Sequence, residues 1–140
     1  MAGLVLLAYL GFLTFVLGQS DASLASSVVV RCAEVLHRLG APAEVTAGAR
    51  IEFALNAAMF APVALLAALT VPGHHWANWV VYGFVASGSV EVVQAIFLPL
   101  RSAQYVDVVA NTAGMLAGAL ISVPLIRDLK SVRLVDRDRR

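Results

Sequence analysis

Apolar positions along the chain fall into four long runs, residues 3–18, 53–72, 76–98 and 106–126, separated by more polar links. A helix needs about 20 predominantly apolar residues to cross the hydrocarbon core of a bilayer. The last three runs meet that length. The first is short enough to be an apolar leader, but its head, Met1-Ala2-Gly3, lacks the positive charge that leaders carry. Gly18-Gln19-Ser20 is also a weak cleavage site, so the run reads as a retained helix. Pro72-Gly73-His74-His75 and the stretch from Pro99 to Tyr105 are tight links. Short links favour antiparallel neighbours. Trp76 and Trp79 open the third run, where interfacial aromatics belong.

Residues 21–39 follow a different rhythm. Val28, Val29, Cys32, Val35, Leu36 and Leu39 recur at helical spacing, and Arg31, Glu34, His37 and Arg38 take other positions. Ser20 or Asp21 can cap the start, and Gly40 then Pro42 ends it. This predicts an amphipathic helix lying in the interface or packed over the bundle. The expected architecture is all-α: a polytopic membrane bundle of about four transmembrane helices, plus this amphipathic helix, forming one domain over residues 1–140.

Composition strengthens that picture. Hydrophobic residues make up 60% of the chain and charged ones 14%, with a mean hydropathy of +0.83. An average soluble domain is about half apolar and about a quarter charged. The net charge of +1 gives no reason to expect nucleic acid. One cysteine, Cys32, excludes an intramolecular disulfide and the usual Cys/His zinc spacing. His74 and His75 are adjacent, so on a helix they point apart, and no acidic residue is close in sequence. Neither a metal nor a cofactor is expected.

Charge also orients the chain. The basic tail, residues 127–140, carries Arg127, Lys130, Arg133, Arg137, Arg139 and Arg140, against Arg31, Arg38, Arg50 and Arg101 on the other side. Lys and Arg favour the cytoplasmic side. Four helices then leave both termini cytoplasmic.

Polar residues inside apolar runs are costly unless paired or wet, and so carry information. Glu52 and Asn56 are four apart and share a helix face; Glu91 and Gln94, three apart, share another. Asp107, Asn111, Gly114 and Gly118 form one stripe of the fourth run. At 1.5 Å per residue, Asn56 lies roughly 5 Å, Asn111 roughly 8 Å and Glu91 roughly 10 Å from the outer face. Three helices therefore bring polar groups to one depth. Arg101 is placed to fork onto Glu91 or Asp107, and Arg50 to do the same for Glu52. Pro62 removes a backbone hydrogen bond in mid-helix, and a kink is expected there.

Three readings of this cluster stand. It can be glue, since an ion-pair network holds helices together and Gly114-xxx-Gly118 is a close-packing pattern. It can be a ligand site. Paired carboxylates such as Glu91 and Asp107 can also do acid–base work. For catalysis, however, the sequence offers no nucleophile with its base, since Ser87 and Ser89 have no His on the same helix face, and it holds no P-loop or zinc motif.

The run Glu91-x-x-Gln94, Phe97-x-Pro99-x-Arg101, then Asp107-x-x-x-Asn111-x-x-Gly114-x-x-x-Gly118 resembles the VanZ-like family of bacterial membrane proteins. Glu52-x-x-x-Asn56-x-x-x-Phe60-x-Pro62 looks like that family's first motif. Ala64 departs from it, standing where the family often has glycine two residues after the proline. The resemblance implies a bacterial plasma-membrane protein, multi-pass, with an envelope-related role. The family's named member is linked to low-level resistance to the glycopeptide teicoplanin, and many members have no link to resistance genes.

Combined with the resemblance, the cluster reads as a site for an envelope component near the outer face. Glu52, Asn56, Glu91, Gln94, Arg101, Asp107 and Asn111 are its ligand-binding candidates, and Pro62, Gly114 and Gly118 its packing residues. Membrane lipids and a lipid-linked wall precursor are the expected partners, with a homo-oligomer open. The alternatives are a structural or accessory protein and a small proton-coupled carrier, which would need to dimerise.

Overall fold

The computed structural model describes residues 1–19, 23–98 and 104–138, and side chains throughout these except Leu24 and residues 132–138. Five helices follow one another: α1 (Ala2–Leu17), α2 (Ser23–Arg38), α3 (Gly48–Thr70), α4 (Trp76–Phe97) and α5 (Tyr105–Asp138). Among the described residues there is no strand.

Three of these helices are long and apolar enough to cross a membrane: α3, α4 and the Tyr105–Ser131 part of α5. The fourth expected crossing, α1, is a shorter apolar helix of 16 residues. That is about 24 Å of rise, short of a hydrocarbon core about 30 Å thick.

Two boundaries differ from the sequence expectation. The α3 helix begins at Gly48 rather than near residue 53, so Arg50 and Glu52 ride on its first turns. Polar residues hide a helix start from a hydropathy pattern but do not oppose helix formation. The α5 helix runs through Pro124 to Asp138, so most of the basic tail continues the crossing helix. After Pro124 the segment has no glycine or further proline to stop it. The α3 helix likewise continues through Pro62.

The centre of the bundle is α5, which packs along both α3 and α4, while α3 and α4 touch each other little. Small residues permit this closeness. A Cβ at Gly114 would overlap the Ala57 carbonyl oxygen, and one at Gly118 the Ala61 carbonyl oxygen. The matched four-residue steps show α3 and α5 running parallel, backbone against backbone. On the α4 side, Gly83 faces Met115. Phe60, Ala64, Met115 and Ala119 form the buried core. Ala64 has no exposed surface, so its methyl is packed where the family often has glycine.

The short helix α1 lies against α3 and barely meets α4. Gly3 faces Thr70, and the Tyr9 hydroxyl donates to the Met59 carbonyl at 2.8 Å. The spatial order is thus α1, α3, α5, α4. The amphipathic helix α2 packs on α3 among these elements. Much of its apolar face is uncovered: Val28, Val35 and Leu39 are exposed. It ends in a Schellman turn, with Ala41 N–H on Leu36 O, Gly40 N–H on His37 O, and Gly40 at φ 88°. The expected caps Ser20 and Asp21 lie outside the described residues.

Candidate ligand cleft

The polar residues collect at the end of the bundle where α1 and α4 finish and α3 and α5 begin. Local sequence explains their approach. On α4 the buried positions are Gly83, Ser87, Glu91 and Gln94, a stripe of helical spacing turned toward the bundle. On α5 the stripe is Asp107, Asn111, Gly114 and Gly118. The close packing allowed by the glycines draws the short side chains of α3 and α5 into direct reach.

Each pairing is a named hydrogen bond. Asn56 Nδ2 on α3 donates to Asp107 Oδ1 on α5 at 2.8 Å. Asn111 Nδ2 on α5 donates to Ser87 Oγ on α4 at 2.8 Å, with both residues buried. Glu91 is 9% exposed, and its Oε2 accepts from the backbone N–H of Gln104 at 2.9 Å. Gln104 immediately precedes α5, so this carboxylate satisfies an N–H at that helix's start and lies at the positive end of its dipole. At the facing terminus, Gln94 Nε2 donates to the Leu17 carbonyl at 2.9 Å. Carbonyls in a helix's last turn lack partners within the helix, so Gln94 ties the end of α1 to α4.

These groups surround an open cavity of about 780 Å³. Six of the seven candidates line it: Glu52, Asn56, Glu91, Gln94, Asp107 and Asn111. The seventh, Arg101, lies outside the described residues. Arg50 does not line the cavity. Arg50 and Glu52 are both exposed, and they form no ion pair with each other. They sit two residues apart on α3, and residues so spaced do not face each other. The expected Arg50–Glu52 pair is therefore corrected.

One buried atom of a cavity-lining residue is without a partner among the described residues. Asn111 is 4% exposed, and its Oδ1 is buried with no hydrogen-bond partner among the described residues. Turning the amide over does not remove the deficit. The oxygen would then accept from the Ser87 hydroxyl and the nitrogen would be left alone. A buried unpartnered polar group costs about 1–3 kcal/mol, which a ligand atom can recover.

Sequence reasoning passed over two participants. Ser87 was weighed only as a nucleophile, although it stands four residues before Glu91 on the same stripe. Gln104 contributes through its main chain, for which composition and spacing hold no signal. The two link histidines do local work: His75 Nδ1 accepts from Ala77 N–H at 3.3 Å and caps α4, and the His74 ring lies 5.3 Å from that of Trp79.

A second, almost wholly apolar groove of about 600 Å³ runs between α1 and α4. Leu17, Val90 and Gln94 line both cavities.

Apolar helices long enough to cross a bilayer, with polar side chains joined between them at one end, define a small helical membrane protein. Residues 2–127 match the family described as VanZ/LLP1, and the chain belongs to that family. No curated protein and no solved structure shows significant similarity to it.

Proposed function

We propose that this chain is a multi-pass protein of the bacterial plasma membrane whose polar cleft binds, or acts on, an envelope component at the extracytoplasmic face. In this reading α1 is the fourth crossing. It runs along α3 from Gly3 at Thr70 past Tyr9 at Met59, its end meets Gln94 of α4, and bilayer thinning or flanking residues accommodate its shortness. Both termini are then cytoplasmic, with the basic end of α5 on the side that Lys and Arg prefer. The partners are membrane lipids, including a lipid-linked wall precursor.

The observation that carries the reading is Asn111. Asn111 lines a cavity large enough for a headgroup, and its buried Oδ1 has no hydrogen-bond partner among the described residues, as helix glue does not require. Amide and carboxylate oxygens around it suit the hydroxyl and N–H groups of sugars, peptides or polar heads.

A second reading is favoured by a specific observation as well. Asn56, Glu91, Gln94 and Asn111 all make contacts between elements. A structural or accessory protein needs no more than that.

Expression in a glycopeptide-sensitive bacterium separates the two. The wild type, Glu91→Gln, Asn111→Leu and an empty vector are compared for teicoplanin susceptibility at matched membrane abundance. The proposal expects the wild type to shift susceptibility and the variants to lose the shift. A fully abundant wild type with no effect removes the glycopeptide part of the reading. Variants that shift susceptibility as strongly as wild type assign the cleft to structure.

A further inference from the structure

The apolar groove stands where a bundle seam is missing. With the order α1, α3, α5, α4, closure would require α1 to pack on α4, yet these two helices barely meet. Gln94 joins them at the polar end. Below that tie the space between them is a groove about 600 Å³ in volume, with Phe60, Val63 and Met115 on its floor. Its lining is carbon almost throughout, and the two helices that flank it scarcely touch, which leaves a gap between them. In a bilayer such an opening faces acyl chains, not water.

Two features tie the groove to the polar cleft. Leu17, Val90 and Gln94 belong to both walls, so the cavities adjoin. The cleft is also lined by Asn111, whose buried Oδ1 has no hydrogen-bond partner among the described residues. From Trp79 to Gln94 the groove follows α4 for about 22 Å. One leaflet of hydrocarbon is about 15 Å, half of a core about 30 Å thick.

We infer that the ligand is a single amphiphile that enters laterally between α1 and α4, with one long apolar chain in the groove and a hydrogen-bonding head in the cleft. This rests on the cleft being a ligand site and adds the chemical class of its occupant. A phospholipid and a polyprenyl-linked carrier share this chemistry. The groove's length matches one extended fatty-acyl chain, which favours the phospholipid. A lipid bound this way also explains why a two-residue tie is enough to hold α1 beside α4, because the chain fills the seam.

The test is photolabelling of the full chain in phosphatidylglycerol vesicles. One arm carries trace phosphatidylglycerol with a diazirine in its acyl chain, the other trace polyprenyl phosphate with a diazirine in its chain. Labelled peptides are mapped for the wild type, Ala86→Trp, Leu10→Trp and Asn111→Leu. Ala86 and Leu10 line the groove from α4 and α1 and are both exposed, so either indole fills it from one wall without entering the core. The expected result is labelling of Leu10 and Val93 several-fold above that of Phe12 and Val92, exposed positions that do not line the groove. Both Trp variants lose that excess. Asn111→Leu weakens it in whichever arm carries the true head, and the arm with the greater excess names the chain class.

Equal labelling of groove and outward positions overturns the inference, as does excess labelling that survives both Trp variants. Cysteines at Leu10 and Ala86 that cross-link between two copies also overturn it, since a second chain then fills the seam. None of these outcomes bears on headgroup enrichment by the cleft, which is measured separately.

Discussion

Asn111 reaches across from α5 and donates to Ser87 on α4 at 2.8 Å, while its Oδ1 has no hydrogen-bond partner among the described residues. The bond is a helix tie, and the unpartnered oxygen is what the proposed site rests on. The same residue therefore serves both readings of the cluster, and its neighbours show how the two divide.

Gly118 belongs to structure alone. Its face lies on the Ala61 carbonyl, so any side chain must force α3 and α5 apart. Gly118→Leu is expected to cost about 1–3 kcal/mol or more and to lower membrane abundance. Thermal unfolding in detergent checks this. A variant as stable as wild type would refute the backbone packing of α5 on α3.

Gln94 holds the end of α1. Interhelical hydrogen bonds in membranes average about 0.6 kcal/mol and reach about 1.7 kcal/mol. Gln94→Ala should therefore leave the bundle folded but loosen α1. Hydrogen exchange reads this as faster exchange in the last turn of α1, with α3 and α5 unchanged. Equal protection in both proteins would show that Gln94 does not secure that end.

Glu91 can be tested by what its substitutes keep. Glu91→Gln retains an oxygen for the Gln104 N–H and replaces only the acid by an amide. Glu91→Leu removes the acceptor as well, for a cost of about 1–3 kcal/mol. Detergent stability should fall in that order, with Gln close to wild type. If Gln destabilises as much as Leu, the charge itself holds the structure.

Orientation is read from α2. With Cys32→Ser removing the chain's one native cysteine, Glu34→Cys places a thiol at an exposed position. A membrane-impermeant maleimide added to intact cells freed of their outer barrier should label it. Labelling only after lysis would invert the proposed topology.

The helices were legible where hydropathy alone determines them. The runs at 53–72, 76–98 and 106–126 correspond to α3, α4 and the crossing part of α5. Hydropathy was silent where helices continue in polar sequence, as at Arg50 and Glu52 or beyond Arg127. For the site, spacing and rise placed Glu52, Asn56, Glu91, Gln94, Asp107 and Asn111 at one depth, and these residues line one cavity. Their partners were not legible. Which donor meets which acceptor depends on crossing helices and on main-chain groups such as Gln104 N–H and Leu17 O, which no side-chain pattern encodes.

The most direct measurement is the lipid content of the purified protein. Wild type and Asn111→Leu are extracted in mild detergent at equal yield, and co-purifying species are compared with the bulk membrane by mass spectrometry. The account predicts that one headgroup class is enriched with wild type and returns to the bulk proportion with Asn111→Leu, while folding is preserved. A wild type carrying lipids only in bulk proportion would contradict it and leave the cleft as the glue of the bundle.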